Sequence, residues 1–242
     1  MIQRPTTRLV RRSSILAASF LAVVGICLAD LAWAHGVTGK DGSFLQNVHG
    51  AAVGPFLYLG AKHMVTGYDH LLFLVGVVFF LRRLKDIIQY VTLFTIGHST
   101  TLLIGVLGGV RVNPFLIDAV IGLSVVYMAF CNMEGFKSLF GFQFNNYLTV
   151  LIFGLFHGFG LATKLQEYAL PKDGLIVNIL SFNVGIELGQ VIALSLVLIV
   201  LTYWRTQASF ARYAFATNSI LMMCGFLLVG YQLSGYCLAA HT

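Results

Sequence analysis

Long apolar stretches alternate with short polar links along most of the chain. Beyond residue 61 there are six such stretches, over residues 62–81, 87–109, 114–132, 147–163, 175–203 and 213–236. Each approaches or exceeds the roughly 20 residues that an α-helix needs to cross the hydrocarbon core of a bilayer. The glycine-rich stretch 35–60 is expected to be an external lead-in with a partly buried end. The pattern predicts an all-α fold, a polytopic membrane helix bundle with six transmembrane helices.

The composition supports a membrane protein and argues against a separate soluble domain. Of the 242 residues, 58% are hydrophobic and 10% are charged, whereas a soluble domain carries about 25% charged residues. Residues 35–242 are therefore predicted to form one membrane domain surrounded by the lipid bilayer. The formal net charge of +6 does not indicate a nucleic-acid partner, because four arginines lie within the first 12 residues.

Those arginines belong to an N-terminal segment, residues 1–34, that has the pattern of a cleavable signal peptide. A basic start is followed by an apolar stretch over 15–28 and by the small residues of Ala32-Trp33-Ala34. Cleavage there would make His35 the N-terminus, where the terminal amine and the imidazole could together bind a metal. The alternative is an uncleaved first helix.

A signal peptide would place the mature N-terminus in the periplasm. The first, third and fifth links would then face the cytoplasm, and they carry six lysines and arginines against three in the two external links. This distribution agrees with the positive-inside rule, although Lys40 and Lys62 in the external lead-in narrow the difference.

Ionisable and amide side chains interrupt the apolar stretches. They are Asp69, His70, His98, Asp118, His157, Asn183, Glu187 and Gln190. Such groups are costly inside a membrane and generally face the interior of a helix bundle, where they mark a pathway or a site. At ~1.5 Å of rise per residue, most of them fall between about 6 and 18 Å from the external helix ends, with His98 nearer the middle. We therefore expect one shared pocket that opens to the periplasm.

The spacing within helices supports this expectation. His63 and His70 are seven residues apart and share a helix face, with His63 nearer the surface, while Asn183, Glu187 and Gln190 are expected to line one stripe. Imidazole nitrogens with carboxylate oxygens suit Ni, Zn, Fe or Co, and the chain has no CxxC pair or Met-rich tract for a dedicated Cu(I) site.

Several of these residues also have structural interpretations. Asp69 could be a direct ligand or the acceptor that orients a histidine ligand. His98 could form hydrogen bonds between helices, and Asp118 could stabilise a helix start. The glycines of the GLFHGFG segment around His157 could provide close helix packing or backbone room for an ion.

The residues that carry these interpretations resemble those of a known family. His63-x-x-x-Gly67-x-Asp69-His70, Gly97-His98, Phe156-His157-Gly158 and Asn183-x-x-x-Glu187 are similar to the HupE/UreJ family of bacterial membrane proteins, and the similarity extends over nearly the whole mature chain. The resemblance implies a nickel permease or related metal carrier with His63, Asp69 and His70 as transport ligands. Met64 departs from the family pattern, in which proline is expected after the first histidine.

The resulting hypothesis is a secondary transporter of the bacterial inner membrane that takes up a divalent transition metal, nickel foremost, with Zn, Co or Fe as the other candidates. His63 would collect the ion, Asp69 and His70 would bind it, and His98, His157 and Glu187 would form the inner steps. Asp69 and Glu187 are the candidates for proton coupling. Two alternatives remain open, which are a membrane metalloenzyme and a metal-binding accessory subunit of a membrane complex. Whether the chain has a protein partner or forms a homo-oligomer is also open.

Overall fold

The computed structural model describes residues 50–167 and 173–240, and these residues form an all-helical fold with no strand among them. The predicted signal peptide and His35 lie outside the described residues. The helices, numbered here in chain order, are α1 (Val53–Thr66), α2 (Tyr68–Val78), α3 (Leu84–Gly108), α4 (Pro114–Asn132), α5 (Gly135–Phe140), α6 (Asn146–Gln166), α7 (Leu175–Arg205) and α8 (Ser209–Ala239). The predicted all-α membrane fold is confirmed.

Five of the helices, α3, α4, α6, α7 and α8, are long and apolar enough to cross a membrane. In place of the first predicted span over 62–81, the structure has two shorter helices that meet at Gly67. The helical region also begins earlier than predicted, at Val53, because Phe56 and Leu59 in the expected lead-in are buried against the bundle. The six-helix count of the prediction thus corresponds to five long helices and one broken pair.

The broken pair α1–α2 runs alongside α7 in the same direction. Near the start of α7, the Asn178 side chain accepts a hydrogen bond from the Ala52 backbone N–H at 2.7 Å and donates one to the Gly50 carbonyl at 3.0 Å. At the other end, Arg205 donates to the carbonyls of Val78 and Phe79, where α2 ends. The pair is therefore anchored to α7 at both ends.

Glycines allow the backbones of neighbouring helices to approach closely. A Cβ atom on Gly60 of α1 would overlap the Phe182 carbonyl of α7, and one on Gly185 of α7 would overlap the Leu57 carbonyl. The parallel helices α3 and α6 meet in the same way, since a Cβ on Gly154 would overlap the Phe94 carbonyl. Helices α4 and α8 form a third, antiparallel pair.

Helix α2 lies in the interior of the bundle, and most of its side chains are buried. Its last carbonyl groups are bound by side chains of other helices: Asn132 donates to the Gly76 carbonyl at 2.8 Å, and Arg205 donates to the carbonyls of Val78 and Phe79. Asn132 and Arg205 are the last residues of α4 and α7, so α2 ends level with these two longer helices.

Candidate metal site

The break between α1 and α2 determines where the motif residues lie. Gly67 has an extended backbone, its N–H donates to the His63 carbonyl at 2.8 Å, and its own carbonyl accepts from the Leu71 N–H at 3.0 Å. A Cβ atom at this position would lie 2.9 Å from the His63 carbonyl oxygen and 3.1 Å from both Asp69 Oδ1 and His70 Nδ1. Glycine is therefore required here by space, because the side chains of Asp69 and His70 fold back over it.

Asp69 and His70 form a hydrogen-bonded pair at the start of α2. Asp69 Oδ1 lies 2.9 Å from His70 Nδ1 and also accepts the His70 backbone N–H at 2.8 Å. A carboxylate can only accept, so Nδ1 carries the hydrogen and the lone pair of a neutral imidazole is on Nε2. This is the arrangement in which a carboxylate orients a metal-binding histidine, the second of the two roles left open for Asp69.

Three further histidines surround His70, and each comes from a different helix. The ring centroids of His63, His98 and His157 lie 5.1, 6.0 and 5.0 Å from that of His70. Helices α1, α2, α3 and α6 thus bring the four predicted histidines into one group, called the histidine cluster below. Phe94 packs against His98 and His157, and Phe73 packs against His157, so the cluster has an aromatic wall.

The nitrogen atoms of the histidine cluster are mostly without hydrogen-bond partners. His157 Nδ1 donates to the Phe153 carbonyl at 2.8 Å, which leaves the lone pair of that ring on Nε2. Among the described residues, the Nε2 atoms of His63, His70 and His157 and both ring nitrogens of His98 are buried and have no partner. Buried polar atoms are nearly always paired in native structures, so unpaired ones call for a functional explanation.

The cluster gathers rings without forming a closed coordination shell. Within residues 50–167 and 173–240, no group of three or more His, Cys, Asp or Glu side chains has the geometry to hold a metal ion. A metal bound through imidazole needs nitrogens about 2.0–2.1 Å from its centre. The histidine side chains would therefore have to rotate before their Nε2 atoms could bind one metal ion at this distance.

His63 is expected to lie nearer the surface than His70, and the structure has His63 partly exposed and His70 3% exposed. The Nε2 atom of His63 is nevertheless buried, and its ring contacts that of His70. Because α1 begins at Val53, His63 lies ten residues, or ~15 Å, into the helix instead of at its start.

The predicted stripe on α7 is wrong at one position. Asn183 and Gln190 are buried, at 6% and 2% exposure, but Glu187 is exposed and does not join the histidine cluster. Seen along the helix axis, Gln190 points only ~20° to one side of Asn183, whereas Glu187 points ~40° to the other side. Glu187 is thus ~60° away from Gln190 and faces out of the bundle. Gln190 accepts a hydrogen bond from the Thr95 hydroxyl at 2.9 Å, and Asn183 Oδ1 has no partner among the described residues.

Asp118 forms an ion pair instead of contacting the histidines. The Lys164 ammonium lies 2.8 and 3.1 Å from its two carboxylate oxygens, and Gln232 donates to the same carboxylate at 3.3 Å. The pair joins α4, α6 and α8 near one end of the bundle. The ion pair gives Asp118 a structural role, and the sequence alone did not identify Lys164 as its partner.

Sequence reasoning missed three residues that shape this region. Lys164 lies just beyond the predicted stretch 147–163, but it follows His157 by seven residues on the same helix and therefore lies on the same helix face. Arg205 lies beyond the predicted stretch 175–203 and binds the end of α2. Met64, which departs from the family pattern, has a buried side chain beside His70 in the wall of a cavity.

Comparison with known proteins identifies one family. The family described as HupE / UreJ protein matches residues 39–240 of the chain. Searches of curated proteins and of solved structures gave no match. The matched range contains all eight helices and every residue of the histidine cluster.

Proposed function

The chain belongs to the HupE/UreJ protein family, and from this membership together with the histidine cluster we propose that it is a secondary transporter for a divalent transition metal. The family is associated with nickel and cobalt transport, which supports a metal transporter in general. We propose nickel as the main substrate, with cobalt, zinc or iron as alternatives. The transporter would lie in the bacterial inner membrane, with its mature N-terminus in the periplasm, and take the ion up from there.

The observation that carries this proposal is the set of buried imidazole nitrogens, on four different helices, that have no hydrogen-bond partner within residues 50–167 and 173–240. Burying a polar group without a hydrogen bond costs ~1–3 kcal/mol, so several such groups in one place need a compensating interaction. A divalent transition metal supplies one, because neutral imidazole is a good ligand for nickel, zinc and iron. Packing alone does not explain the histidines, because apolar rings of the same size would fill the same space without unpaired nitrogens.

Each member of the cluster has a defined part in this proposal. His70 would bind the ion through Nε2, and Asp69 would keep that nitrogen unprotonated and offset the positive charge of the ion. His63, His98 and His157 would supply the remaining nitrogens, so that the ion is passed between ligands on different helices. Asp69 is also the proposed proton-coupling group, because it is the carboxylate in contact with the cluster.

The broken pair α1–α2 supports a carrier mechanism. Discontinuous helices line the substrate sites of several classes of secondary transporter. Here the break lies between His63 and His70, so movement of α1 relative to α2 would change the distance between two ligands. The sequence has no P-loop motif for ATP binding, and we propose that transport is facilitated or coupled to an ion gradient.

The test is time-dependent uptake of radioactive nickel by metal-starved cells that express the wild type, His70→Phe or Tyr127→Phe at matched membrane levels. His70→Phe keeps an aromatic ring and removes its nitrogens, whereas Tyr127→Phe removes a polar group from a ring outside the cluster. We expect uptake by the wild type and the control, and background uptake by His70→Phe.

Background uptake by all three proteins would contradict the nickel proposal. The same assay with cobalt and zinc would then separate another substrate metal from no transport at all. A metal ion that stays tightly bound to the purified protein and does not cross membranes would indicate the metalloenzyme. Loss of a membrane complex in His70→Phe, without any effect on metal, would indicate the accessory subunit.

A further inference from the structure

A small cavity adjoins His70. Its volume is about 10 Å³, which is close to the space that one water molecule occupies in a protein cavity. Most of its wall is apolar, from α2, α3 and α6, and the side chains with ligand atoms are those of Met64, His70, Tyr90 and Gln190. Residues that carry a thioether, an imidazole and an amide therefore line one cavity.

Met64 is held in this wall by the close packing of α1 and α7. It is 1% exposed, and the backbone of Gly189 lies directly against it, since a Cβ atom there would be 3.0 Å from Met64 Cβ. A larger residue at position 189 would overlap the Ala61 carbonyl and press on Met64 Cβ. The glycine thus leaves room for Met64 in the wall beside His70.

Gln190 is held just as firmly. It is 2% exposed, and its Oε1 accepts the hydrogen bond from the Thr95 hydroxyl at 2.9 Å. An amide oxygen has two lone pairs, so one of them stays available after this hydrogen bond. His70 is 3% exposed, and its Nε2 has no partner among the described residues.

We propose that Met64 determines which metals the site accepts, by adding a thioether ligand on the cavity side of an ion bound to His70, with the Gln190 amide oxygen beside it. The proposal rests on the proposed transport function and names the substrate class more narrowly. Thioether sulfur binds soft and borderline cations and contributes little to hard ones such as Mn²⁺. The site therefore takes soft and borderline cations in preference to hard ones.

The first experiment measures how Cd²⁺, a soft cation, and Mn²⁺, a hard one, compete with radioactive nickel for uptake. It compares the wild type with Met64→Leu and with Met128→Leu, which makes the same change at another buried methionine outside the cavity. Leucine has nearly the volume of methionine, and such swaps usually cost less than about 1.5 kcal/mol. We expect Met64→Leu to need about tenfold more Cd²⁺ for half-inhibition, with Mn²⁺ inhibition unchanged and Met128→Leu like the wild type.

The second experiment detects the sulfur ligand directly in the purified protein and does not depend on transport. Purified wild-type protein labelled with selenomethionine is loaded with Cd²⁺, and X-ray absorption at the cadmium edge reports whether selenium is a neighbour. Cysteine cannot give this signal, and the label reaches all six methionines of the chain. We expect a selenium neighbour in the wild type that is absent from Met64→Leu and kept in Met128→Leu.

The outcomes separate the two proposals. Unchanged Cd²⁺ competition in Met64→Leu, or no selenium neighbour in the wild type, would overturn the role of Met64 while nickel uptake by the wild type still supports the transporter. A wild type that takes up no metal but shows the selenium neighbour would overturn transport and retain the thioether ligand.

Discussion

Asp69 Oδ1 lies 2.9 Å from His70 Nδ1 and 2.8 Å from the His70 backbone nitrogen, so one carboxylate oxygen fixes both the ring and the first turn of α2. The carboxylate selects the tautomer with the hydrogen on Nδ1. It also places a negative charge at a helix start, where the helix dipole favours it. A single residue thus joins the local structure of α2 to the chemistry of the histidine cluster.

We predict that Asp69→Asn reduces nickel uptake without abolishing it. The amide oxygen of asparagine can still accept a hydrogen bond from His70 Nδ1, but the negative charge is lost. Removal of such a partner typically costs 10–100-fold in metal affinity. The measurement is the initial uptake rate as a function of nickel concentration, and Asp86→Asn, in the first turn of α3, serves as the control. Equal rates for Asp69→Asn and the wild type would contradict the orienting role.

We predict that Gly67→Ala impairs uptake more than it impairs folding. The added methyl group would lie within about 3 Å of the His63 carbonyl, Asp69 Oδ1 and His70 Nδ1, so the Asp69–His70 pair must move. Uptake and the midpoint of thermal unfolding in detergent are measured together for this variant.

The matched control is Gly54→Ala in the same helix pair, because a Cβ atom there meets no atom within 4 Å. This change should leave uptake intact, and removing a glycine from a helix stabilises it by up to ~1 kcal/mol. If both glycine variants transport equally well, the spatial requirement at Gly67 does not control the site.

The helices could be predicted from the sequence because apolar stretches of membrane length have few alternatives to helical structure. The gathering of the histidines followed from the same physics, since buried ionisable groups turn towards the bundle interior. The break at Gly67 could not be predicted, because glycine is common inside transmembrane helices and does not by itself indicate a break. The hydrogen bonds between Asp69 and His70 at the start of α2 are local, but a neighbouring pair of polar residues does not reveal them in the sequence.

The end of an apolar stretch in the sequence is not always the end of its helix, and this explains the error at Lys164. The predicted stretch 147–163 leaves Lys164 in a link, although α6 continues to Gln166. For the same reason, the sequence showed no counter-ion for Asp118.

The family assignment is confirmed by the match over residues 39–240. It depended on several short motifs that follow one another in a fixed order along the chain, so a single substitution such as Met64 has little effect on the match.

We predict that Lys164→Met destabilises the protein and that Asp118→Asn in the same chain restores much of the loss. Removing one partner of a buried ion pair costs ~3–5 kcal/mol, and this partly exposed pair should lose less. Thermal unfolding in detergent of the two single variants and the double variant gives the coupling between the residues. Additive losses would show that Asp118 and Lys164 do not act as a pair. Loss of metal uptake in Asp118→Asn at unchanged stability would instead indicate a direct role in transport.

Glu187 provides the sharpest contrast with Asp69, because both are acidic residues within the apolar part of the chain and only one contacts the histidines. Glu187 is exposed on α7 among Val184, Leu188 and Val191, which are also exposed. We therefore predict that Glu187→Gln keeps nickel uptake within about twofold of the wild type, as for other surface changes of ~0.5 kcal/mol or less. Uptake rates at two external pH values, measured beside those of Asp69→Asn, test whether either carboxylate couples transport to protons. If Glu187→Gln abolishes uptake and Asp69→Asn does not, transport of the ion does not depend on the Asp69–His70 pair. The exposed face of α7 is then part of the transport machinery.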